Sequence, residues 1–270
     1  MSAAAAVTTA AAAVSAAATL AGAGDATGVT PNRTADVAAE RTAGAATGFA
    51  ADVEAALAPL ADPARAAAMR AYMGNRFPFL GLPAPVRRAA VQALVARPWA
   101  SAPALLDAAG ALWQRPAREY RYTAIDLLLR HRRQLGLDHV DAMRALLETD
   151  PWWDTVDGLT AVLGKVIRGA DRPAGQGMMD AWVVDASFWV RRAAMLHQLG
   201  WRLDMDRDRL FGYALRLASE KEFFIRKAIG WALRDFARWD GASVQAFVAA
   251  NEDVLSPLSR REALKHVGNV

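Results

Sequence analysis

An all-α fold, built as a solenoid of helix pairs, is predicted for this 270-residue chain by three observations. Apolar residues recur at three- and four-residue spacing through residues 51–270. Helix breakers fall between the periodic runs. One short pattern also returns after 35 residues, the period range of stacked helical repeats. No alternating run with hairpin chemistry appears.

Residues 1–50 are mostly Ala, Thr, Gly and Val, with almost no large side chain. Nothing there could bury a face, so a disordered tail is expected, outside a repeat domain spanning 51–270. Lys and Arg are absent before Arg33, which argues against a secretory signal. No stretch holds the roughly 20 uncharged apolar residues of a membrane span, so no membrane partner is expected. Cysteine is absent, removing disulfides, thiolate metal sites and a cysteine nucleophile. The histidines His131, His139, His197 and His266 show no ligand spacing, so neither metal nor cofactor is expected. A cytoplasmic location fits this composition. The formal charge is +4; the first fifty residues contribute −1, leaving +5 for residues 51–270. That value is modest, so placement of charge matters more than its total.

Helical runs are read at Val53-Ala56-Leu57-Leu60, Val86-Ala89-Ala90-Leu94, Tyr122-Ile125-Leu128-Leu129 and Ala142-Leu146-Leu147. The breakers are Asp62-Pro63, Gly81-Leu82-Pro83, Arg115-Pro116, Asp150-Pro151, Arg172-Pro173, Gly241 and Ser256-Pro257. Between Arg70 and Pro83, Gly, Asn and Pro indicate a loop carrying Tyr72, Phe77 and Phe79. Its aromatics, beside Arg70, Arg76, Arg87 and Arg88, could meet a nucleic-acid backbone or plug the end of a core.

After Pro151 comes Trp152-Trp153-Asp154-Thr155-Val156-Asp157. Pro favours the first position of a helix, so a helix should open here. Trp153 and Asp157 then stand one above the other on one face, and an indole beside a carboxylate suits a cation. Taken alone, the pair reads first as a core Trp and a solvated Asp, since Trp is highly buried on average.

The repeat changes that balance. Phe188-Trp189-Val190-Arg191-Arg192-Ala193-Ala194-Met195 aligns with Phe223-Phe224-Ile225-Arg226-Lys227-Ala228-Ile229-Gly230 at an offset of 35. The same step back from Arg192 reaches Asp157 and then Tyr122. Tyr122, Asp157, Arg192 and Lys227 should therefore line one surface. The row one turn earlier is Arg118, Trp153, Phe188 and Phe223; one turn later it is Asp126, Ala161, Leu196 and Trp231. Small residues follow the key position each time (Thr123, Gly158, Ala193, Ala228), as close helix stacking requires. A buried slot would not hold Asp, Arg and Lys, so the row is expected on a concave, basic binding surface. Arg121, Arg191 and Arg226 precede row members, Arg234 lies one turn beyond Gly230, and Arg130, His131, Arg132 and Arg133 extend one helix end. Along a curved surface such cations would follow a phosphate backbone.

These segments resemble the AlkD-type alkylpurine DNA glycosylases, bacterial enzymes built of HEAT-like repeats. The likeness runs from about Tyr72 to the C-terminus. It is strongest at Trp152–Asp157, Ser187–Ala194, Ser219–Trp231 and Pro257–Ala263. The resemblance implies that Asp157 is the catalytic Asp, that Trp153 and Trp231 contact the lesion and that Arg192 is the active-site Arg. It implies Tyr72 as the N-terminal-loop Tyr, a weaker match. Tyr122, Arg191, Arg226, Lys227 and Arg234 are expected to contact DNA. The implied substrate is double-stranded DNA containing N3- or N7-alkylated purines, cut by a monomer without base flipping. Asp157 would stabilise the oxocarbenium-like sugar and orient water, while Trp153 and Trp231 add cation–π attraction of about 1–2 kcal/mol each. Arg192 would grip a phosphate bidentately. Three alternatives stand beside this reading: a self-resistance glycosylase for bulky natural-product adducts, a non-catalytic DNA-binding relative, and a helical-repeat protein scaffold.

Overall fold

The computed structural model describes the backbone of residues 33–265 and side chains from residue 44 onward. Contacts divide the chain into Met1–Ala38 and Ala39–Val270. Of the first unit, only the start of a helix at residues 33–38 is described.

The described residues form thirteen α-helices and no strand. In order they are α1 (Arg33–Leu57), α2 (Pro63–Tyr72), α3 (Ala84–Val95), α4 (Ala102–Trp113), α5 (Arg118–Arg130), α6 (Val140–Glu148) and α7 (Trp153–Gly169). They continue with α8 (Arg172–Trp182), α9 (Phe188–Leu196), α10 (Arg207–Arg216), α11 (Phe223–Ala237), α12 (Gly241–Ala250) and α13 (Pro257–Ala263). Helices α3, α5, α7, α9, α11 and α13 pack each against the next, making one continuous layer. The second layer lies against it: α4 on α5, α6 and α8 on both α7 and α9, α10 on α9 and α11, and α12 on α11 and α13. This is an α-solenoid of helical repeats. Helices α5, α7, α9 and α11 begin at residues 118, 153, 188 and 223, so the 35-residue sequence period is the structural period.

The breakers act mostly as helix starts. Asp62, Ser101, Asp171, Asp206, Asp240 and Ser256 each accept a backbone N–H from the first turn that follows. Such caps satisfy donors that have no partner inside the helix. Pro63 and Pro257 occupy the first helical position, where a missing N–H costs nothing. Pro151 does not. Asp150 takes a left-handed φ of +45° and α7 opens three residues later at Trp153, with Trp152 as an extended N-cap.

The core runs between the layers through Leu105, Leu112, Trp113, Leu127, Leu128, Met143, Leu147, Leu159, Leu163 and Ile167. Thr123, Ala193 and Ala228 are fully buried, and a Cβ on Gly158 would lie 2.8 Å from Ile125 Cδ1 of α5. The small residues thus stand where neighbouring helices approach most closely.

Two boundaries differ from expectation. The tail expected over residues 1–50 overlaps α1, and Ala46, Phe49, Ala50, Val53 and Leu57 on one side of that helix are buried. Phe49 meets Trp99 edge-on at 5.1 Å. Alanine-rich sequence hides this because a single Phe at helical spacing is enough to seat the helix. Residues 1–32 lie outside the described part. Arg70 and Tyr72, expected in the loop, lie in the last turn of α2. No described helix is long and apolar enough to cross a membrane.

Candidate functional site

Asp157 projects from the second turn of α7, within the layer that also holds α5, α9 and α11. The first turn of a helix favours a carboxylate, and Asp154 occupies it. The Asp157 side chain is 16% exposed, and Arg192 of α9 grips it bidentately, with Nε and Nη2 each 2.8 Å from a carboxylate oxygen. The third guanidinium nitrogen, Nη1, donates to the carbonyl of Phe224 at 2.5 Å. Arg192 is itself 5% exposed. Burial pushes the Asp157 carboxyl above its ordinary value, and the Arg192 hydrogen bonds and charge oppose that rise.

The expected phosphate contact of Arg192 therefore does not fit its placement. All three nitrogens are engaged within the protein, and a buried fork cannot reach a backbone outside. Arg192 and Asp157 are adjacent members of the predicted row, and they satisfy each other. The inference that a charged slot must face a ligand failed for that reason: opposite charges one repeat apart can pair across helices.

The same device recurs at three further steps of the layer, α3–α5, α5–α7 and α11–α13. Arg87 of α3 reaches Asp126 of α5 at 2.6 Å and donates to Thr123 at 3.0 Å. Arg118 of α5 holds both oxygens of Asp154 on α7 at 2.9 Å and donates to Thr155 at 2.8 Å. Tyr122 donates to Asp154 at 2.6 Å; burial and that carboxylate raise its phenol well above the ordinary value, so it stays a donor. Lys227 and Arg234 of α11 converge on Glu262 of α13 and pull its carboxyl down to about 2. Arg191 is bidentate to Glu220, and Arg226 donates to the Glu220 carbonyl at 2.8 Å. Arg191, Lys227, Arg234 and Tyr122, expected as DNA contacts, are thus all bonded inside the protein.

Two expected aromatics do meet. Tyr72, 78% exposed, stands edge-on to the half-buried Trp153 at 6.3 Å. Trp153 lies one helical turn above Asp157 on the same face. Trp231 is half-buried on α11, one turn beyond Lys227. The loop after α2 divides its roles: Phe77 lies under the Arg118 guanidinium at 3.8 Å, whereas Arg76 is exposed and covers Trp152 at 4.2 Å. Trp152 in turn packs against Trp189 and Phe224 at 5.7 and 5.0 Å. The pairing of Arg118 with Asp154 and the Arg76–Trp152 stack escaped sequence reasoning. Only the 36-residue spacing of Arg118 and Asp154, close to the repeat, pointed to that pair.

Four exposed cations without an ion-pair partner among the described residues lie near the C-terminal ends of helices in this layer. Arg130 and Arg133 close α5 and its following turn, Lys165 lies near the end of α7, and Arg238 caps α11. Arg130, Arg133, Lys165 and Arg238 are all exposed. Lys165 follows Arg130 by one repeat, as Asp157 follows Tyr122. Among the described residues no group of three or more His, Asp or Glu side chains could hold a metal ion.

A predicted DNA alkylation repair enzyme from Enterococcus faecalis is similar in structure, with 32% sequence identity, a TM-score of 0.71 and coverage of 78% of this chain and 98% of its own. AlkD2 from Streptococcus mutans shares the fold at 18% identity, with a TM-score of 0.51 over 62% of this chain and 83% of its own. The smu.31 protein of Streptococcus mutans UA159 does so at 17% identity, with a TM-score of 0.51 over 62% and 85%. No curated protein matches. The family described as DNA alkylation repair enzyme matches residues 53–267, which takes in every helix from α2 to α13 and both partners of the Asp157–Arg192 pair. The chain belongs to the DNA alkylation repair enzyme family.

Proposed function

We propose that the protein is a DNA glycosylase that hydrolyses the N-glycosidic bond of cationic N3- or N7-alkylated purines in duplex DNA. One observation carries the reading: a part-exposed carboxylate, locked by a buried guanidinium, beside an aromatic pair on an open face. An alkylated purine already bears positive charge, so its bond to the sugar is weakened and it leaves without a general acid. Charge then rises on the deoxyribose. Each Asp157 oxygen has one acceptor direction taken by Arg192 and others free, so the carboxylate can face the oxocarbenium-like sugar and orient the attacking water. The bidentate grip fixes the carboxylate's direction before substrate arrives, so little reorganisation is needed. Trp153 and Tyr72 supply aromatic faces and edges to the cationic lesion nucleotide, with Trp231 on the next helix but one. Exposed Arg130, Arg133, Lys165 and Arg238 would carry the phosphate backbone, in place of the row that pairs with itself.

The test is incubation with duplex DNA bearing 7-methylguanine or 3-methyladenine, scoring free base and abasic sites. Release above the spontaneous rate supports the reading; binding without release would leave a DNA-binding protein.

A further inference from the structure

Glu119 lies fully buried in the first turn of α5. Its Oε2 accepts the backbone N–H of Leu80 at 3.0 Å, and its Oε1 accepts those of Gly81 and Leu82 at 2.9 and 3.1 Å. Buried amides need an acceptor, and a carboxylate is the strongest available, helped here by the helix N-terminus. The same segment is pinned elsewhere. Leu80 O accepts the Asp62 N–H at 2.8 Å, and Pro78 O accepts the Arg118 N–H at 3.0 Å. Gly81 has φ +87°, and a Cβ there would lie 2.2 Å from the Asp62 carbonyl. The loop between α2 and α3 is therefore set mainly by α5. At the loop's other end stand Tyr72, edge-on to Trp153, and Arg76, over Trp152.

We infer that Glu119 is a positioning residue for base release, fixing the loop that follows Tyr72 and carries Arg76, and so holding Tyr72 against Trp153 and Arg76 against Trp152. The inference rests on the glycosylase reading for its kinetic consequence. Glu119 never touches substrate; it acts through three backbone amides. An exposed Tyr and an exposed Arg would otherwise sample many positions, and DNA would have to order them on binding.

Glu119→Gln is nearly isosteric. Its carbonyl oxygen can keep two of the three bonds, while its amide would face another donor. On duplex DNA bearing 7-methylguanine, KM should rise about tenfold with a smaller change in kcat. Tyr72→Ala should shift KM similarly, and the double variant should be no more than about twofold worse than the weaker-binding single, because both act through one loop. Multiplying effects, a loss confined to kcat, or unaltered kinetics in Glu119→Gln would overturn the inference. Should Glu119→Gln unfold, Gly81→Ala disturbs the loop from outside α5 and enters the same cycle. A wild type that releases no base refutes the glycosylase reading alone. The cycle is then read from the Kd for undamaged duplex DNA, where non-additivity sustains the loop anchor and additivity removes it.

Discussion

Asp157 and Arg192 are best understood as one unit. Breaking a buried pair from one side leaves the other charge uncompensated, at a cost of about 3–5 kcal/mol in well-buried cases. Asp157→Asn keeps size and one acceptor, so the protein should still fold, with a lower Tm. Release of 7-methylguanine should slow by roughly a hundredfold or more, through loss of charge facing the sugar; near-native release would remove Asp157 from the chemistry. Arg192→Ala should lower both kcat and Tm. Its salt slope for DNA binding should scarcely move, because this guanidinium faces Asp157 and Phe224 rather than solvent. A slope flatter by a full charge would restore the phosphate contact. Acidity tests the same unit. Asp157 is held above its ordinary value of 3.8, so its charge is lost at a higher pH than for an exposed carboxylate. The rate at saturating DNA should therefore fall on the acid side above that value, and Asp157→Asn should abolish the limb.

At the scale of an element, α1 shows what composition conceals. Its sequence is alanine-rich, yet Phe49, Val53 and Leu57 recur at four-residue spacing and are buried. Deleting residues 1–32 should leave Tm and activity near native values. Deleting residues 1–50 takes Phe49 from its seat against Trp99 and should lower Tm by several degrees. Phe49→Ala alone should reproduce most of that loss, about 3 kcal/mol for an emptied aromatic site. Equal melting of the two truncations would place α1 outside the cooperative fold. Helix α7 makes a parallel point from the other side. Its Trp153–Asp157 face was visible in spacing because it is set within one turn, and the close approach at Gly158 because the repeat returns a small residue to that slot, whereas its start falls two residues past Pro151.

Across the whole layer, charge is sorted into two populations. One ties helix to helix through Arg87–Asp126, Arg118–Asp154, Asp157–Arg192 and Lys227–Glu262. The other, at the C-terminal ends of α5, α7 and α11, is exposed and without ion-pair partners among the described residues. Helix C-termini favour cations in any case, and these positions are also those left to a polyanion. Arg130→Ala with Lys165→Ala should weaken binding to undamaged duplex DNA and flatten the plot of log K against log salt by about 0.9 per lost contact. An unchanged slope would show that DNA lies elsewhere. Sequence by itself determined the all-helical class, the 35-residue period, the positions that share a slot and the residues of the Asp157 face, because periodicity and helix punctuation are local and repeat themselves. Only the tertiary structure decided which charges were already satisfied. Arg192 and Asp157 are one repeat apart in the chain and 2.8 Å apart in space, and pairing across neighbouring helices depends on side-chain reach and burial, which spacing does not record.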